Sequence, residues 1–133
     1  MPSNREFVQS LYDAFVRGDA ETVLAGLAPD VEWNEAKGSP YADMNPYRGP
    51  EEVGNGVFGR LLADYDEFTL QPHQLVEDGD TVVGLGRYQG VHRASGQRLD
   101  APFAHVWTVN DGKVTAFQQY TDTAQYQRLA GLG

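Results

Sequence analysis

Apolar residues recur every four positions at Phe7, Leu11 and Phe15, with Val8 and Tyr12 beside them, and this stripe predicts an amphipathic helix. Ser3-Asn4-Arg5-Glu6 ahead of it reads as a capping box, with Ser3 as N-cap and Glu6 at the third helical position. Gly18 ends this helix, and Asp19 caps a second short one that carries Val23, Leu24 and Leu27 and is stopped by Pro29. A third helix begins with Pro50 at its first position and Glu51 and Glu52 in its first turn, where the helix dipole favours acids. Its apolar face is Val53, Val57, Phe58, Leu61 and Leu62. Gly54, Gly56 and Gly59 each weaken it by about 1 kcal/mol relative to alanine, so packing must hold it.

From Phe68 onward the period changes to two. Runs of β-branched and aromatic residues are separated by Glu77-Asp78-Gly79-Asp80, Ala94-Ser95-Gly96-Gln97 and Asn110-Asp111-Gly112-Lys113. Three glycine-bearing turns at hairpin spacing predict four consecutive antiparallel strands. Val31-Glu32-Trp33-Asn34-Glu35 is an earlier, isolated strand, and the stretch from Ala36 to Gly49, with Pro40 and Pro46, is the one long loop.

The order helix, helix, strand, helix, four-strand meander predicts an α+β fold in one domain spanning 1–133. A curved antiparallel sheet packs on three N-terminal helices and leaves a blind cone, whose open end lies at the long loop. The 133 residues leave room for a single core, and 41% hydrophobic against 22% charged residues is an ordinary globular balance. The formal charge of −9 and the lack of clustered Lys and Arg argue against nucleic acid as a partner. Without cysteine there is no disulfide, thiol nucleophile or zinc–thiolate site, and the three histidines lack ligand spacing, so no metal is expected. No apolar run approaches the ~20 residues of a membrane span, and the N-terminus does not read as a signal peptide, so a cytoplasmic protein is expected.

Several stretches together carry a resemblance over essentially the whole chain: Gly18-Asp19, Asp30-Val31-Glu32-Trp33, Tyr47-Arg48-Gly49, the run from Phe103 to Val114, and Gln119-Tyr120-Thr121-Asp122-Thr123. The chain resembles the nuclear-transport-factor-2-like superfamily, a cystatin-like fold, and within it the SnoaL-like, ketosteroid-isomerase-like and polyketide-cyclase-related proteins. That resemblance implies a small-molecule pocket inside the cone. The fold hosts isomerases, cyclases, epoxide hydrolases and non-catalytic binders, so function has to be argued from the site.

Strand parity selects the side chains that reach the interior. Val31, Trp33 and Glu35 share one face, as do Phe103, His105 and Trp107. A three-residue loop Asn110-Asp111-Gly112 pairs Val109 with Lys113 and His105 with Phe117, and turns Phe117, Gln119 and Thr121 inward. A two-residue loop Asp111-Gly112 would instead bring Gln118 and Tyr120 beside His105. The first register is favoured and matches the pattern of the resembled family. Glu35 and His105 are then the titratable pair in a dry pocket: Glu35 as base with its pKa raised by burial, His105 as polarising donor or acid with its pKa raised by a nearby carboxylate. Trp33, Phe103, Trp107, Phe117 and Gln119 would line the ligand site, and Tyr41 and Tyr47 on the mouth loop would orient the ligand.

Relative to the isomerases, Glu35 falls at the general-base position and His105 at that of the protonated aspartate, an arrangement familiar from ketosteroid isomerase. The isomerases' oxyanion tyrosine aligns with Leu11, one residue from Tyr12, and the aspartate of cyclases and limonene-type epoxide hydrolases aligns with Gln119. The resemblance thus implies a cofactor-free isomerase, cyclase or lyase acting on an apolar or polycyclic carbonyl compound. The alternative is a non-catalytic ligand-binding or dimerisation module. A homodimer is expected through the outer face carrying Ala104, Val106, Thr108, Val114 and Ala116, which no helix is left to cover.

Overall fold

The computed structural model describes residues 2–131. Helix α1 (Asn4–Val16) starts at the predicted capping box, with the Ser3 hydroxyl accepting from the Glu6 N–H and the Glu6 carboxylate accepting from the Ser3 N–H. Helix α2 (Ala20–Ala25) is capped by Asp19 and ends at Gly26, earlier than the sequence pattern predicts. Leu27 and Pro29 belong instead to strand β1 (Leu27–Asn34), where buried Leu27 pairs with Val114. The ladder is irregular between Leu27 and Glu32, so Pro29 sits where its missing N–H is tolerated.

The expected long loop contains a short 3₁₀ turn (Pro40–Met44) and a two-residue strand β2 (Tyr47–Arg48) on the edge of β1. The third helical segment is continuous but not uniform. Helix α3 (Gly49–Val53) passes through a π turn (Gly54–Phe58) into α4 (Gly59–Asp64), and Pro50 is its second residue. The meander is β3 (Tyr65–Asp78), β4 (Thr81–His92), β5 (Arg98–Asn110) and β6 (Lys113–Thr121). A C-terminal helix α5 (Thr123–Leu129), capped by Asp122, was not expected; it buries Tyr126 and Leu129.

The six strands form one curved, unclosed sheet in the order β2-β1-β6-β5-β4-β3. It is antiparallel except between β1 and β6, which run parallel, a departure from the all-antiparallel expectation. Curvature is built into β3 by two bulges, at Glu67–Phe68 and at His73.

The β5–β6 hairpin differs from the favoured register, yet the same side chains face inward. Its loop is the two-residue Asp111-Gly112, both with positive φ (52° and 74°), and Asn110 pairs with Lys113. A bulge at Thr115 then shifts the ladder by one, so His105 pairs with Gln119 and Trp107 with Phe117. The tighter loop and the extra residue restore the parity that a three-residue loop would have set. Val114 lies before the bulge and is fully buried, so it does not belong to the outer face.

Candidate functional site

Glu35 follows the end of β1 and is 3% exposed. Its backbone is gripped by the Asn45 side chain, which accepts from the Glu35 N–H at 3.0 Å and donates to its carbonyl at 2.8 Å. The Trp33 indole, two residues back on the same face, donates to Glu35 Oε2 at 2.9 Å. Burial outweighs this donor and the more distant Arg60 charge, and the carboxyl is pushed up to about 7.

His105, in the middle of β5, is 3% exposed and stacks on Phe103 with ring centroids 4.0 Å apart. Its Nδ1 is 2.8 Å from the Tyr12 hydroxyl, and its Nε2 meets the Tyr88 hydroxyl. Trp107 Nε1 donates to the Tyr12 hydroxyl at 2.9 Å. Gln119 Nε2 donates to the Tyr88 hydroxyl at 2.8 Å, while Gln119 Oε1 accepts from the Ala36 N–H at 3.1 Å. A continuous relay therefore runs Trp107–Tyr12–His105–Tyr88–Gln119. The expectation of a raised His105 pKa is overturned: burial pushes it down to about 3 and no carboxylate offsets it, so the imidazole is neutral. Tyr12 and Tyr88 are both pushed well up by burial and stay protonated.

These groups share one cavity of about 40 Å³, lined by Glu35, Tyr12, Tyr88, His105, Trp107 and Gln119 among others. Trp33 and Phe117 also line it, stacked with centroids 3.8 Å apart. Phe15, Phe58 and Leu61 close the helical side, and Phe68 of β3 packs against Phe15 beside them. The volume is about that of one water and far below that of a polycyclic ligand. A larger open cleft of about 1080 Å³ runs past Leu24, Pro29, Met44, Arg48 and Asn55, but neither Glu35 nor any relay residue lines it.

Three expected ligand contacts lie elsewhere. Phe103 is buried behind His105 and does not line the cavity. The Tyr41 hydroxyl donates to Asp64 at 2.8 Å, and the Tyr47 hydroxyl donates to the Tyr41 carbonyl at 2.5 Å, so both are committed to the fold. Arg60 joins them: its guanidinium takes both oxygens of Asp43 (2.8 and 3.1 Å), donates to the Tyr47 hydroxyl at 2.6 Å and lies over the Tyr41 ring. Sequence reasoning missed Tyr88 and Asn45 and set Tyr12 aside. Tyr88 had a signal in parity, since it shares an inward face with Val82, Gly84, Gly86 and Gly90 and is the bulky polar-tipped residue among these buried positions.

The family profile for the SnoaL-like domain matches residues 8–117, and the chain belongs to that family. Over 118 residues it is 32% identical to the ECF RNA polymerase sigma factor SigJ of Mycobacterium tuberculosis (strain ATCC 25618 / H37Rv), covering 86% of this chain and 36% of SigJ. An NTF2-like protein from Burkholderia thailandensis E264 superposes with a TM-score of 0.92 at 37% identity, over 98% of both chains. TerC, crystallised with polyporic acid, superposes with a TM-score of 0.83 at 28% identity, over 96% of this chain and 98% of TerC. More distant structures described as ketosteroid-isomerase-like or as putative polyketide cyclases share the fold at 17% to 22% identity. No helix among the described residues is long and apolar enough to cross a membrane.

Proposed function

We propose that this chain is a small-molecule pocket protein performing cofactor-free acid–base chemistry, of the isomerase, cyclase or lyase kind, on an apolar carbonyl compound. The observation that carries this reading is a fully buried carboxyl, Glu35, held near neutral pKa in the same cavity as a relay of protonated hydroxyls. Glu35 as carboxylate takes a proton from the carbon beside the carbonyl. A relay hydroxyl donates to the oxygen as negative charge develops there, and the proton returns to the product without any change of oxidation state. His105 has both nitrogens engaged by tyrosines, so in this reading it orients donors instead of touching the ligand. TerC's crystallisation with polyporic acid supports a small organic ligand. Phe58, which lines the cavity, belongs to the π turn, the kind of irregular helix found at functional sites, and an outward movement there would admit a ligand.

A second reading, a non-catalytic binding or dimerisation module, is favoured by the small cavity and by the match to about a third of SigJ. The readings separate once a ligand that shifts the melting temperature is found. Glu35→Gln should slow turnover by about 10²–10⁴-fold with little change in affinity. Unchanged turnover would leave the binding module.

A homodimer through the convex sheet face belongs to the same proposal. Leu85 and Val76 are exposed there, Val83 and Val106 pair across β4 and β5, and Tyr120 is 57% exposed beside Ala104. Sedimentation should give a dimer at micromolar concentration, and Leu85→Asp a monomer; a monomeric wild type would refute this part.

A further inference from the structure

The relay around His105 contains more protons than it has gaps to hold them. Both phenolic oxygens already accept one hydrogen bond from a group with a fixed sense. The Trp107 indole can only donate, and the Gln119 amide is oriented by the Ala36 N–H on its oxygen, which turns its nitrogen to Tyr88. Three protons remain, on Tyr12, on Tyr88 and on the neutral imidazole. Two gaps remain, Tyr12–Nδ1 and Nε2–Tyr88. The imidazole proton fills one gap and one tyrosine proton fills the other. The tyrosine that accepts from His105 is left with an O–H directed elsewhere.

The two ends of the relay are not equivalent. The Tyr12 hydroxyl is boxed in by Trp107, His105 and the backbone of Gly84, where even a Cβ would collide with it. A spare proton there would meet no acceptor among the described residues, and an unsatisfied buried O–H costs about 1–3 kcal/mol. Tyr12 and Tyr88 both line the cavity and neither hydroxyl has a further acceptor among the described residues; what separates them is the Gly84 backbone packed against the Tyr12 hydroxyl, and the Glu35 charge that acts on Tyr88. We infer that Tyr12 donates to Nδ1, that His105 carries its proton on Nε2 and donates it to Tyr88, and that Tyr88 presents its O–H to the cavity. Tyr88 on β4 is then the residue that holds a ligand's acceptor oxygen, opposite Glu35, with Tyr12, His105, Trp107 and Gln119 positioning it. The ligand class follows: an acceptor oxygen, such as a carbonyl or enolate, beside the position that delivers a proton to Glu35. The role at the ligand rests on the acid–base reading above; the proton assignment does not.

The test is long-range ¹H–¹⁵N correlation on ¹⁵N-histidine-labelled wild-type protein at neutral pH, which needs no variant to fold. His105 should be protonated at Nε2; protonation at Nδ1 would put the spare proton on Tyr12 and overturn the inference. Tyr88→Phe should keep the proton on Nε2, because moving it to Nδ1 would strand the Tyr12 O–H as well; a shift to Nδ1 in that variant would overturn the assignment of Tyr12 as donor. With a turned-over ligand in hand, Tyr88→Phe should slow the chemical step by about 10²–10³-fold, the size seen for loss of one oxyanion donor, and Tyr12→Phe should cost less. A larger loss in Tyr12→Phe would refute the role given to Tyr88. Nε2 protonation without turnover of any ligand would retire the acid–base reading and leave the assignment standing.

Discussion

Replacing Glu35 by glutamine should make the protein more stable at alkaline pH and leave it nearly unchanged in acid. The folded carboxyl sits at about 7, against an ordinary value of 4.5. Between those two values the unfolded chain has released the proton and the fold has kept it. Stability attributable to Glu35 therefore falls as pH rises from about 4.5 to about 7, and is flat above. The gap between the two values, at 1.36 kcal/mol per pH unit, amounts to roughly 3 kcal/mol lost by pH 8. Glutamine keeps the shape and can still accept from the Trp33 indole, but never ionises. Urea unfolding of wild type and Glu35→Gln at about pH 4 and about pH 8 isolates this one group, because every other titration is common to both proteins. The variant should match wild type within about 0.5 kcal/mol at the lower pH and exceed it by about 2–3 kcal/mol at the higher. An advantage that does not grow with pH would refute the claim that burial holds the Glu35 proton.

Gly84→Ala should cost about 1–3 kcal/mol, because its Cβ meets the Tyr12 hydroxyl, and Tyr12→Phe in the same chain should recover part of that loss; additive losses in urea unfolding would contradict the contact. His105 should not titrate between about pH 5 and pH 8 by NMR, and the stability it contributes should fall as pH drops from about 6.5 toward about 3, where the unfolded chain takes up a proton that the fold refuses. A His105 midpoint near its ordinary 6.5 would refute the dry relay. Arg60→Met should increase hydrogen exchange across Gly54–Asp64 by about tenfold or more, since it frees Asp43, Tyr47 and the Gly56 carbonyl together; unchanged exchange would mean that Arg60 does not hold this helix in place.

The inner faces were legible because alternation in a strand is a local rule. Val31, Trp33 and Glu35, then Phe103, His105 and Trp107, announce their faces without any knowledge of their partners. The hairpin shows the limit of that rule. Asp111-Gly112 suits a two-residue turn, but nothing in Val114-Thr115-Ala116 announces the bulge that restores parity. Tyr12 was discounted because the aligned residue is Leu11, and one helical position is roughly 100° of rotation. Its ring reaches His105 nonetheless, since Gly84 on the facing strand leaves room for the hydroxyl. Gly84 of β4 thus acts as a seat for a tyrosine in the fold. Tyr41 and Tyr47 misled for the opposite reason: polar tips on a mouth loop suggest a ligand, but Asp64, Asp43 and Arg60 satisfy them from within the chain.

Glu35 keeps its proton to near-neutral pH inside the cavity, and the base proposed to work there depends on that. Carbon-13 NMR of the side-chain carboxyl, assigned by its loss in Glu35→Gln, measures that directly. The resonance should titrate with a midpoint near 7. A midpoint at the ordinary 4.5 would mean that the carboxylate is solvated, and would contradict both the dry cavity and the base proposed to work in it.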